Sequence, residues 1–298
     1  MNLKKISLFL ALAFGLSWLS AFVLYVSGIK YGSTTATVIV ALFYMGSPAI
    51  AALVVQKIIY KQEIKLLGFD FKQTKWKNFL WIPLLQVLFC ALTIGIIVLF
   101  GNVFNVNGFG FFSLDEGLLN TKMQEIASAT GLSEMPKLPL SPFALLLVSI
   151  ITSALLGGLI NGIFTLGEEL GWRGFLYNEM MPLGFVKSNL LIGTIWGLWH
   201  APLILQGHNY PEHPITGVFM MVVFCIPLGF LMSWTREKTN SVLAPALFHG
   251  MVNAGAGGVI LFVYEYNDLI GNIAGVAGAV ACLLLYLLLK FIFSGNKN

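Results

Sequence analysis

Long apolar runs separated by short polar stretches fill most of the chain, near residues 6–28, 35–56, 79–100, 143–166, 186–205, 216–234, 242–263 and 271–291. Each approaches the roughly 20 residues that a helix needs to cross a hydrocarbon layer about 30 Å thick. A membrane β-barrel would instead show alternating segments of about ten residues, and the runs here are continuous. Hydrocarbon offers no partner to a free backbone N–H or C=O, so runs of this kind predict helices. The pattern therefore predicts an all-α, polytopic membrane protein with about eight transmembrane helices. No repeat of 20–50 residues and no Pro/Gly/Ser linker interrupts it, so residues 1–298 read as a single transmembrane domain. The first run follows Lys4 and Lys5 as a signal peptide would. It is too long for one and lacks a small-x-small cleavage site, so it reads as a retained span.

Composition agrees: of 298 residues, 57% are hydrophobic and only 10% charged, with a mean hydropathy of +0.84, where soluble domains carry about 25% charged residues. The net charge of +4 is not gathered into a groove or arm, which argues against nucleic acid as a partner. Topology accounts for it. With the first helix entering from the cytoplasm, 14 of the 17 basic residues fall on one side: Lys4, Lys5, Lys57, Lys61, Lys65, Lys72, Lys75, Lys77, Arg173, Lys187, Arg236, Lys238, Lys290 and Lys297. Lys30, Lys122 and Lys137 remain for the other. By the positive-inside rule the crowded side is cytoplasmic, and both termini lie there. Cys90, Cys225 and Cys282 sit inside apolar runs without a CxxC pattern and read as small buried hydrophobes. The longest outer connection, about 101–142, holds Asp115, Glu116, Glu125 and Glu134; it reads as a plain connector, with a short surface helix over 118–130 as the alternative.

Polar groups are unevenly spread. The first three spans have almost no ionisable side chain, whereas residues 143–263 hold most of those that hydrocarbon rejects. Residues 164–177 read Phe-Thr-Leu-Gly-Glu-Glu-Leu-Gly-Trp-Arg-Gly-Phe-Leu-Tyr. At about 100° per residue Glu169 and Arg173 share a helix face and predict an ion pair, while Glu168 points about 140° away from Arg173 and is free to act as a base. His200 lies in the fifth run, one turn after Trp196 and just before Pro202; His249 and Asn253 stand four apart in the seventh. Alone, each histidine reads as a packing residue. Together with Glu168 they predict one shared site that activates water: a carboxylate takes the proton, a histidine orients the water, and a second histidine with an amide stabilises an oxyanion.

Glu-Glu-x-x-x-Arg at 168–173, aromatic-x-x-x-His at 196–200 and His-x-x-x-Asn at 249–253 resemble the three motifs of the CAAX prenyl protease and bacteriocin-processing (Abi, CPBP) family of intramembrane endopeptidases, relatives of the eukaryotic Rce1-type CAAX protease. Trp196 stands where phenylalanine is common. The motifs span about 143–255, which the resemblance marks as the catalytic core. It implies an eight-helix protease of the cell membrane acting on a membrane-associated peptide or protein, with its cavity toward the cytoplasm. Glu168 and His200 would activate water, His249 and Asn253 would stabilise the intermediate, and Glu169 with Arg173 would support the site. The family is often described as metalloproteases. This chain has no His-Glu-x-x-His or His-x-x-Glu-His, and zinc would have to be held by Glu168, His200 and His249 from three helices, so a metal-independent glutamate mechanism is preferred. Prenylated CAAX substrates and bacteriocin-like peptides stay open as substrates.

Rhomboid-type serine and presenilin-type aspartyl chemistry lack their signature residues. A cation- or proton-coupled transporter with Glu168, His200 and His249 as a relay, and a non-catalytic immunity or scaffold protein, are the alternative readings. His208, Glu212 and His213 lie in the loop after the fifth run, where a divalent ion is conceivable and a solvated loop on the far side from the cavity is preferred. Asn161 and Gln86 are expected to hydrogen-bond across helices, and Gly158/Gly162, Gly193/Gly197 and Gly271/Gly275 to permit close helix approach.

Overall fold

The computed structural model describes residues 1–130 and 139–294, the side chains of 129, 130 and 294 excepted. Glu134, Lys137 and Lys297 lie outside the described residues. Seven helices among those described are long and apolar enough to cross a membrane: α1 (Leu3–Val26), α2 (Thr34–Ile59), α3 (Trp76–Val103), α5 (Pro142–Leu183), α8 (Pro214–Thr239), α9 (Leu243–Ile260) and α10 (Val276–Phe293). The connection read as a plain connector contains a helix, α4 (Glu116–Thr130), close to the alternative of a short helix over 118–130. The fifth apolar run, expected as an eighth crossing, forms two shorter helices, α6 (Phe185–Trp199) and α7 (Ala201–Ile204), neither of which is among those seven. The chain is thus an all-α, multi-pass membrane protein.

Helix starts follow local chemistry. The Asn2, Ser33 and Ser141 side chains accept the backbone N–H three residues on, and Pro142 occupies the first turn, where its missing N–H costs nothing. At the other end of α8, Asn240 adopts a left-handed φ of 54° after a last turn that contains Arg236 and Lys238. One boundary differs from the hydropathy reading. The fourth run was expected to end near residue 166, but α5 continues to Leu183, 42 residues in all. Its extension stays helical because Leu170–Leu176 widens into a π-helical stretch, a form often found at functional sites.

The outside of the bundle is apolar, with Phe22, Phe43, Ile163, Phe219 and Leu287 all exposed, as lipid-facing side chains should be. Inside, small residues set the spacing. A Cβ on Gly193 or Gly197 of α6 would lie 2.7 or 2.5 Å from the Cα of Ile226 or Val222 on α8; α5 meets α9 similarly, through Gly158 and Gly162 against Met251 and Leu247. Gly271 and Gly275 do not serve this purpose: they lie in the turn before α10, against the carbonyls of Phe109 and Leu269. Gln86 donates to Ser153 Oγ at 2.8 Å and Asn161 to the Gly250 carbonyl at 3.4 Å, linking helices as expected.

The two ends of the bundle differ in charge. One carries the 60–75 connection and the start of α1, where Lys5 pairs with Glu179 at 2.5 Å and also donates to Gln56 and Gln62. The opposite end carries the loops 27–33, 104–115, 205–213 and 261–275. There β1 (Phe111–Phe112) pairs antiparallel with β2 (Val263–Tyr264), and Lys122 of α4 donates to the Ile260 and Val263 carbonyls at the end of α9. Those free carbonyls are a natural place for a cation.

Candidate active site

Glu168, His200, His249 and Asn253 line one cavity of about 520 Å³, together with Tyr44, Trp196 and His208. The three charged or titratable groups expected from sequence are deeply placed: Glu168 is 2% exposed, His249 4% and His200 6%. Buried ionisable groups need partners, and each has one. The Trp196 indole N–H donates to Glu168 Oε2 at 2.9 Å. Glu169, wholly buried, accepts two hydrogen bonds of 3.0 Å from Arg173 Nη1 and a third of 3.0 Å from His249 Nδ1.

The pairing of Glu169 with Arg173 is as expected, but Glu169 does more than hold its own helix. By bonding Nδ1 it fixes the ring of a histidine 80 positions away and leaves Nε2 available to the cavity. The guanidinium face of Arg173 lies 4.3 Å from the Trp196 ring centroid, so one arginine braces both the carboxylate and the indole. Close approach makes this possible on the α2 side as well, since a Cβ on Gly167 or Gly171 would lie 2.6 or 2.5 Å from Met45 O or Pro48 Cβ.

The break between α6 and α7 positions His200. Its N–H bonds to the Gly197 carbonyl in a tightened turn, which frees the Trp196 carbonyl, and His200 Nδ1 takes that carbonyl at 2.8 Å. A carbonyl only accepts, so Nδ1 carries the proton and Nε2 has a free lone pair. The Trp199 carbonyl, released by the same break, accepts from the Tyr44 hydroxyl and from Trp18 Nε1. Pro202 has no N–H to continue the α6 ladder, which is why the break falls here.

Two features depart from the sequence expectation. His208 was read as part of a loop remote from the cavity; instead it lines it, stacks 6.2 Å from the His200 ring and bonds through Nδ1 to the Tyr31 hydroxyl at 2.5 Å. Burial pushes the His208 imidazole down to about 4. The second concerns direction. The resemblance implied a cavity toward the cytoplasm, the side to which charge counting assigned the Lys-rich end. In the fold, the elements beyond Glu168 toward the Lys-rich end are sealed by Trp172, Arg173, Phe175 and Leu176, each 0–1% exposed. The cavity rises the other way, to Tyr31, Gly32, His208 and Asn209 in the loops of the opposite end. The cavity thus opens at the end of the bundle opposite the Lys-rich one.

Glu168, His200 and His249 do not form a ready metal cage. Among the described residues, the set of three such side chains whose ligand atoms all lie within 4.8 Å of one another is Glu212, His213 and Asp268. Zinc holds each ligand at about 2.0–2.3 Å and needs closer convergence than the cavity side chains provide. His213 meets Asp268 at 2.6 Å beside the mouth, so these two are partners rather than a solvated loop.

No curated protein matches the chain. Residues 139–255, which contain all three motifs, match the family model described as Rce1-like, type II CAAX prenyl endopeptidase Rce1-like. The chain is a multi-pass α-helical membrane protein in which residues 139–255, less than half of its length, match the Rce1-like model.

Proposed function

We propose that this protein is an endopeptidase that hydrolyses a peptide bond of a membrane-associated substrate, with Glu168 as general base. One observation carries the reading: Glu168 of α5, His200 of the α6–α7 break, and His249 and Asn253 of α9 line a single cavity inside an otherwise apolar bundle. Charges in such a place are costly and need a use.

Water held between Glu168 and the free His200 Nε2 gives a proton to Glu168, and its oxygen attacks the carbonyl carbon. Negative charge develops on the carbonyl oxygen, where His249 Nε2 and the Asn253 amide donate hydrogen bonds. Glu169 stabilises the positive imidazolium as the carboxylate does in a serine-protease triad. The C–N bond then breaks as the proton on Glu168 passes to the leaving nitrogen, giving a carboxylic acid and an amine. A metal is not needed in this sequence of steps. Residues 143–255 supply the reacting groups, while the 27–33 loop and α2 complete the cavity wall through Tyr31 and Tyr44.

Hydrolysis can be read isotopically. Membranes containing the protein, incubated in ¹⁸O-water, should yield peptides whose new carboxyl ends contain one ¹⁸O. New termini without the label would refute water attack at the carbonyl carbon.

A further inference from the structure

We infer that the cavity takes its substrate from the non-cytoplasmic face, so that the bonds within its reach belong to peptide segments exposed at the outer leaflet. This rests on the endopeptidase reading for the word substrate and is independent of it for the direction of access.

The argument uses the order of residues along the helices. In α8 the lining residues Met221 and Phe224 occupy the half that begins at the 205–213 loop, with Leu228 just past the middle; in α2 the lining residues Val40, Ala41 and Tyr44 occupy the half that begins at the 27–33 loop. Glu168 sits deepest. Beyond it, toward the Lys-rich end, come the fully buried Arg173 and Trp172, then Phe9 stacked on Phe175, then Lys5 against Glu179. Nothing the size of a peptide passes that plug. At the mouth end the described basic residues are Lys30 and Lys122, and the Lys122 ammonium is taken up by two carbonyls. Asp115, Glu116, Glu125, Glu212, Glu265 and Asp268 all lie at this end. Basic loops stay in the cytoplasm because translocating them is unfavourable. The Lys-rich, plugged end is therefore cytoplasmic and the mouth faces out.

Cysteine labelling decides the direction. Cys90, Cys225 and Cys282 are buried and give a low background. Glu212→Cys places a thiol on an exposed position of the mouth loop, and Lys72→Cys places one on the exposed 60–75 connection. In intact cells a charged, membrane-impermeant maleimide should label Glu212→Cys, and Lys72→Cys only after the membrane is opened. The reverse pattern overturns the inference, as does equal labelling of both in intact cells. Should either variant fail to accumulate, Asp115→Cys in the mouth-end loop and Lys77→Cys in the first turn of α3, both at exposed positions, ask the same question. Glu168-dependent cleavage then separates the two ideas. Outward labelling without any cleavage supports outward access and removes the endopeptidase reading; cleavage confined to cytosolic tails keeps the endopeptidase and overturns outward access.

Discussion

At the residue scale, the site divides into groups that touch the reacting atoms and groups that hold them. Asn253 belongs to the first. Its amide is a donor to the developing oxyanion, and Asn253→Ala should lower kcat by about 10²–10³ while leaving the fold intact, the usual loss for one such donor. A rate within a factor of two of wild type would remove Asn253 from the reaction. Arg173 belongs to the second. Deleting it leaves the Glu169 carboxylate buried with only His249, and breaking a buried pair costs about 3–5 kcal/mol. Arg173→Ala should therefore unfold at lower temperature in detergent and lose activity with it; an unchanged melting temperature would refute the bracing role. His208 reports on pH. Its folded-state value lies below the ordinary 6.5, so its neutral form stabilises the fold fully above about 6.5, and that contribution declines as pH falls toward 4. Wild type should lose more thermal stability than His208→Phe between pH 6.5 and 4.5. Parallel curves would contradict it. The sequence made Glu168, Glu169, Arg173, His200, His249 and Asn253 legible because hydrocarbon does not tolerate such groups idly. It did not reveal the bond from His249 to Glu169, which spans 80 positions, or His208, which reaches the cavity because the loop after α7 folds back over it.

At the element scale, hydropathy located the crossings because lipid imposes one length and one polarity on all of them. It was blind to two local events. The extension of α5 past residue 166 uses a π-helical stretch that no apolar pattern encodes, and the division of the fifth run at His200 depends on where a freed carbonyl finds a donor. The α6–α8 contact offers a test of packing. A methyl group at Gly197 would lie 2.5 Å from Val222 Cα, whereas one at Gly15 of α1 meets nothing within 4 Å. Gly197→Ala should destabilise by about 1–3 kcal/mol, the usual cost of overpacking. Gly15→Ala should be neutral or stabilising by up to about 1 kcal/mol, because alanine is the better helix former. Equal stability of the two variants would show that the close approach is not needed.

At the scale of the whole molecule, one design emerges. A lipid-facing shell encloses a polar floor near the middle of the bundle, closed on the Lys-rich side and open on the other. Charge counting identifies a Lys-rich end and says nothing about where space remains between helices. The second span, which appears as a plain hydrophobic run, and the 27–33 loop before it turn out to build one wall of that space through Tyr44 and Tyr31. Everything proposed about catalysis meets at the carboxylate of Glu168. Glu168→Gln keeps the side chain's size and its hydrogen bond with the cavity while removing the base. New peptide termini in host membranes, compared by mass spectrometry between wild type and Glu168→Gln at matched abundance, should include a set present only with wild type. Identical termini from the two folded proteins would contradict a glutamate-dependent protease.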